Sequence, residues 1–86
     1  MYAILAYDIK EKRVGRVLKI CRRYLTRIQN SVFEGKLTET QLSALKDELK
    51  NVVNPEEDKI CIYEFDSLKY SRKEEIGISN RYANII

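Results

Sequence analysis

The sequence contains no histidine. That removes the side chain that does most acid–base work near neutral pH, and with it any mixed His–Cys zinc site. Hydrolytic chemistry would have to rest on carboxylates and a hard, oxygen-preferring cation. Long apolar runs are missing as well. The longest, Tyr2-Ala3-Ile4-Leu5-Ala6-Tyr7, falls far short of the roughly 20 residues that span a bilayer. The first residues show no signal-peptide pattern, so a cytoplasmic location is expected. Cysteine is scarce: Cys21 and Cys61 each fall in an apolar stripe, which predicts buried thiols in a reducing compartment rather than a disulfide scaffold. There is no low-complexity tract and no internal repeat. The 86 residues leave room for one domain. A chain this short buries only about 60% of its unfolded surface, so association with a second copy is expected.

What is present begins with Asp8. It is the first acid in the chain and follows the six-residue apolar run directly. Both alternating sets of that run are apolar, which predicts a strand covered on both faces. A carboxylate removed from water is costly unless it is paired, hydrogen-bonded or metal-bound. Asp8 therefore either caps the turn that follows or holds a cation at a working site.

Charge is distributed unevenly. Net charge is +3, yet residues 10–27 carry eight bases (Lys10, Lys12, Arg13, Arg16, Lys19, Arg22, Arg23 and Arg27) against the single acid Glu11. A basic helix on a mildly acidic body suits a polyanion. Five of the eight are arginine, the residue suited to bidentate phosphate contact. A solvated helix face is the alternative, and lysines alone would satisfy it.

Hydrophobic spacing predicts the elements. Residues 2–8 form a strand. Residues 11–25 form a helix with Val14, Val17, Leu18, Cys21 and Leu25 on its buried stripe, and the bases lie largely off it. Gly15 inside this helix costs up to about 1 kcal/mol against alanine and leaves room for a backbone or phosphate to approach. Residues 26–37 lean to β structure, as one bent strand or two short ones, with Gly35 marking a bulge or bend. Thr38 and Gln41 make a capping box. The helix they open carries Leu42, Leu45, Leu49 and Val52 on one face and ends by Asn54-Pro55. Residues 59–65 form another strand, and Ile76-Gly77-Ile78 could form a short one.

This order is α+β: a ferredoxin-like βαββαβ sandwich, with a C-terminal extra strand or tail, whose two helices cover one face of an antiparallel sheet. The core occupies residues 1–65, and residues 66–86 form the tail. The first strand is central in such a layout. Its second apolar face then needs cover that this chain cannot supply, and a face-to-face homodimer would supply it.

Three strings carry a family likeness: Tyr7-Asp8-Ile9 at the end of the first strand, Arg16-Val17 in the first helix, and Arg27-Ile28-Gln29-Asn30-Ser31-Val32-Phe33-Glu34-Gly35 before the Leu37-Thr38 helix entry. On these, over about residues 1–65, the chain resembles the CRISPR-associated protein 2 family, the small subunit of spacer acquisition. The resemblance implies a ferredoxin-like homodimer in which Asp8 of each subunit faces its twin and binds a divalent cation, usually Mg2+. It implies a metal-dependent endonuclease acting on single-stranded RNA or double-stranded DNA. It also implies the CRISPR-associated integrase as a partner, and a C-terminal segment that crosses to the other subunit or meets the integrase.

The residues agree with that outline. Two aspartates related by a twofold axis make a better Mg2+ site than one, with waters completing an octahedron. Asp8 is then the metal ligand and catalytic carboxylate. Arg13, Arg16, Arg22 and Arg27 are the nucleic-acid contacts, and Ser31 and Phe33 shape the site. Two other functions fit the same residues: a non-catalytic DNA-binding scaffold of the integrase complex, and a toxin-like messenger-RNA interferase.

Overall fold

The structure, a computed structural model, describes residues 1–67 and 70–77. Strand β1 (Tyr2–Asp8) leads into helix α1 (Glu11–Tyr24). The short strands β2 (Thr26–Gln29) and β3 (Val32–Lys36) follow, then helix α2 (Glu39–Lys50) and the long strands β4 (Lys59–Ser67) and β5 (Tyr70–Gly77). The strands form one sheet in the order β2-β3-β1-β4-β5, and every neighbouring pair is antiparallel. The first four strands with the two helices make the expected ferredoxin-like unit, with β1 central. Strand β5 adds to β4 of the same chain, from Lys59 opposite Gly77 to Ser67 opposite Tyr70. Ile78, expected to continue the last strand, and the rest of the expected tail to residue 86 lie outside the described residues.

Burial follows the pleat. On β1 the odd residues Ala3, Leu5 and Tyr7 are buried, and they meet Phe33, Ile60 and Ile62 from the flanking strands. Helix α1 contributes Val17, Ile20 and Cys21, and α2 contributes Leu42, Leu45 and Leu49. The helical stripe is rotated slightly from the expected one: Ile20 is inside, while Val14 and Leu18 are only partly buried against the core. Cys21 and Cys61 are both buried thiols, as expected. Burial pushes the Cys21 thiol up to about 12, which keeps it protonated and inert.

One local expectation comes out differently. The 26–37 segment is two strands, and they separate at Asn30-Ser31 rather than at Gly35. The irregularity in register lies between Arg27 and Gln29. Gly35 is regular and pairs with Ala3; a Cβ there would press on the Leu25 side chain at 3.2 Å. The two helices cover β1 on one face, as the expected layout requires. The even residues Tyr2, Ile4 and Ala6 are half-exposed, and Asp8 at the end of the same series is exposed. Both helices occupy the opposite face of the sheet, so among the described residues no helix lies over the even series. The α2 helix opens on the expected capping box: the Thr38 hydroxyl accepts from the Gln41 N–H at 3.1 Å, and the Gln41 carboxamide oxygen accepts from the Thr38 N–H at 2.9 Å.

Candidate metal and nucleic-acid site

Asp8 ends β1 on the face away from the helices, one pleat beyond Ala6. Its sheet neighbour on β4 is Lys59. On the other side the β2–β3 turn closes against it, with the Tyr7 N–H donating to the Ser31 carbonyl at 3.0 Å. The Asn30 carbonyl gathers donors: Arg27 Nη2 at 2.9 Å, Arg27 Nε at 3.2 Å and the Tyr7 hydroxyl at 3.4 Å. Asp8, Arg27, Asn30 and Ser31 therefore sit at one end of the sheet. The two motifs meet for a simple reason: β3 is in register with β1, so the turn just before Val32 reaches the level of Tyr7 and Asp8.

Phe33 lies differently. It is 0% exposed and faces the helices, stacked near Tyr7 with ring centroids 6.0 Å apart and planes 28° off parallel. It can reach the Asp8 corner only through Tyr7. Burial raises the Tyr7 hydroxyl's pKa, with the Cys21 thiol adding to the effect and the Arg27 and Arg22 charges opposing it. Tyr7 is thus a neutral donor to the Asn30 carbonyl at physiological pH.

The four expected nucleic-acid arginines divide. Arg16 and Arg22 are exposed on α1. Arg16 lines a cavity of about 380 Å³ between the helices together with Lys19, Glu48 and Asn51. Arg27 is exposed on β2 but spends two N–H groups on the Asn30 carbonyl. Arg13 turns inward. Its side chain is only 14% exposed, with Nε 2.6 Å and Nη2 3.1 Å from the Asp58 carboxylate and Nη2 2.7 Å from Glu57 Oε1. Along the helix Arg13 is about 60° from Arg16, enough to move it from the solvated face to the edge of the core.

Asp58 is the residue that sequence reasoning missed. It follows Glu56-Glu57 in what reads as an acidic surface loop, and its partners Lys10 and Arg13 lie 48 and 45 positions away. Yet it is 0% exposed. Burial works against its charge, but the Arg13 guanidinium and the N–H groups of Lys10 and Asn54 overcome that and hold its carboxyl down to about 2. Lys46 was likewise unremarked: it bridges Glu74 at 2.6 Å and Glu64 at 3.3 Å. Burial disfavours its charge, and the two carboxylates more than compensate and raise its pKa. That cluster borders a cavity of about 370 Å³ with Met1 and Glu39, at the far end of β1 from Asp8.

Among the described residues no group of three or more acidic or thiol side chains converges on one point. One chain therefore offers a hard cation a single exposed carboxylate, Asp8, on a sheet face that its own helices leave open.

The fold and site define a small ferredoxin-like α+β protein that presents a strand-end carboxylate, an arginine-bearing turn and a basic helix. Residues 1–73 match the model of the family described as CRISPR associated protein Cas2, and the chain belongs to that family. It is 42% identical over 78 residues to the CRISPR-associated endoribonuclease Cas2 of Dictyoglomus turgidum, covering 91% of this chain and 90% of that protein. It is 44% identical to the CRISPR-associated endoribonuclease Cas2 2 of Archaeoglobus fulgidus, over 91% of this chain and 85% of that one. Among solved structures, a crystal structure of Cas2 superposes with a TM-score of 0.75 at 40% identity, covering 94% of this chain and 87% of the other. Streptococcus pyogenes Cas2 at pH 6.5 superposes at 0.70 and 31% identity, covering 76% and 86%.

Proposed function

We propose that this protein is a CRISPR adaptation subunit with a divalent-cation-dependent endonuclease activity on single-stranded RNA, double-stranded DNA or both. It works as a cytoplasmic homodimer and joins the CRISPR-associated integrase. The supporting observation is the position of Asp8: exposed, at the end of the central strand, on the half-exposed apolar face of the sheet. Apposing two such faces buries Tyr2, Ile4 and Ala6 and brings two Asp8 carboxylates toward one axis. Hard cations such as Mg2+ take carboxylate oxygens and keep several waters, so the donor set fits. When bound, the cation would polarise a phosphoryl oxygen and lower the pKa of a water.

The chain's own residues do the rest. The Asp8 pair holds the cation. Arg27, fixed by the Asn30 carbonyl, offers its remaining N–H groups to a phosphate beside Asp8. Arg16 and Arg22 hold the backbone further out along α1. Ser31 shapes the turn, and Phe33 acts on the corner from below through Tyr7. Arg13 contributes by fixing the start of α1 rather than by touching the ligand. The C-terminal segment beyond β5 is the part we assign to the partner subunit or the integrase. No helix among the described residues is long and apolar enough to cross a membrane.

The test compares wild type with Asp8→Ala on RNA and DNA, with Mg2+ and with EDTA. Cleavage that needs Mg2+ and vanishes in the variant is expected; cleavage untouched by the substitution would exclude Asp8 from the chemistry. A second reading, a DNA-binding scaffold without catalysis, is favoured by the exposed Arg16–Lys19–Arg22 face. It predicts that neither protein cleaves and that both bind duplex DNA. Replacing Arg16 or Arg22 should then reduce the salt slope of binding by about one unit per lost phosphate contact.

A further inference from the structure

The Asp58 carboxylate joins three segments. Oδ1 accepts from the Lys10 N–H at 2.9 Å and from Arg13 Nη2 at 3.1 Å. Oδ2 accepts from Arg13 Nε at 2.6 Å and from the Asn54 N–H at 2.8 Å. These four bonds fill the capacity of a carboxylate. The segments they join are the β1–α1 turn, the first turn of α1 and the α2–β4 connection. Lys10 is two residues beyond Asp8, and Lys59, the residue after Asp58, is the sheet partner of Asp8. The backbone that carries Asp8 is therefore gripped from both sides by the Asp58-Lys59 dipeptide.

A largely buried ion pair is a poor way to add stability, because desolvation cancels most of its attraction. What it supplies is geometry. The last residue of β5 is committed to the same spot: Gly77 has φ +105°, and any Cβ there would collide with the Asp58 carbonyl. An obligate glycine, a buried carboxylate and a sequestered arginine thus converge behind one exposed aspartate.

We propose that Asp58 is a positioning residue for Asp8: by holding the Lys10 N–H and Arg13 it fixes the β1–α1 turn and so the direction in which the Asp8 carboxylate meets its cation. The proposal rests on the reading that Asp8 binds a divalent cation. A displacement of about 1 Å in a reacting group can cost on the order of 100-fold in rate, so a turn left loose would be felt at the site and not merely in the melting temperature.

The experiment measures Mn2+ binding by electron paramagnetic resonance, alongside kcat and KM for RNA cleavage, well below the melting temperature of each variant. Asp58→Asn places an amide N–H2 against donors that now meet oxygen. It is expected to weaken Mn2+ binding and lower kcat, each about 10-fold or more, with KM little changed. Lys10→Pro is the second variant. Lys10 has φ −61°, which proline adopts, so the change removes the N–H donor and leaves the Arg13 and Asn54 bonds in place. Its reference is Lys10→Ala, which removes the same side chain and keeps the N–H. Should Asp58→Asn fail to fold, a 10-fold loss in Lys10→Pro relative to Lys10→Ala supports the proposal alone. Mn2+ affinity within twofold of the reference in the folded variants, while Asp8→Ala abolishes binding, overturns the positioning role and leaves Asp8 as the ligand. Mn2+ binding that survives Asp8→Ala overturns both.

Discussion

Ser31 and Phe33 stand two positions apart in one motif and do unlike work. Ser31 lies in the turn that meets Tyr7, outside the strand, whereas Phe33 points into the core. Truncating Phe33 to alanine removes a large buried ring and the stack beneath Tyr7, and should cost about 3–5 kcal/mol of stability. Chemical denaturation would show this as a lower midpoint with an unchanged slope. Cleavage by the folded fraction should fall further than the lost population explains, because Tyr7 also supports the Asn30 carbonyl. Gly77 gives the second residue-scale prediction. Its positive φ and its contact with the Asp58 backbone leave no room for a methyl group. Gly77→Ala should destabilise by more than about 1 kcal/mol, because alanine is strained at this positive φ, read as a drop in melting temperature. An unchanged melting temperature would mean the β5 end is not closed on Asp58 as described.

Helix α1 was legible in the sequence because its apolar residues recur at helical spacing, and Thr38 with Gln41 announced α2 for the same kind of local reason. The division of β2 from β3 was not: Asn30 and Ser31 are turn-forming residues, but they sit inside a stretch that alternates like one strand, and Gly35 drew the break to itself. Gly35 serves the close approach of Leu25 instead. The roles of Arg13 and Arg16 were equally illegible: they look alike in composition, and only the helix rotation and an acid 45 positions away separate them. Asp8 could be singled out because the apolar run that sets it apart precedes it directly. Gly15 has a sharper test now. A Cβ added there meets nothing within 4 Å, so Gly15→Ala should raise stability by up to about 1 kcal/mol. The same substitution measured for duplex binding decides whether the open space serves a phosphate: weaker binding in a more stable protein assigns that role, and equal binding leaves Gly15 without one.

At the scale of the whole molecule, charge and surface set the remaining behaviour. Asp58 has its folded pKa depressed to about 2 from the ordinary 3.8, so it contributes stability that is present above pH 4 and is lost as pH falls toward 2. Glu57 and Glu48 are lowered as well, by Arg13 and by the Tyr24 hydroxyl with Arg23 respectively, and act in the same direction. A urea midpoint followed from pH 6 downward should stay level and then drop across that window, and Asp58→Asn should flatten the drop. The open sheet face carries the larger consequence. Tyr2, Ile4 and Ala6 were read as covered on both sides, and within one chain they are half-exposed, so the missing layer is expected from a second copy. Ile4→Glu puts a charge at the centre of that face without touching the helix-side core, and removing a carboxylate from water into an apolar interface is costly. Sedimentation at micromolar concentration should show wild type at twice the chain mass and Ile4→Glu at once, with helical circular dichroism retained. Thr40→Glu, an exposed change in the first turn of α2, is the reference that should remain a dimer. If Ile4→Glu is monomeric, its Mg2+-dependent cleavage should vanish with the dimer, because each copy then holds only one Asp8; a monomer that still cleaves would place the whole site within a single chain.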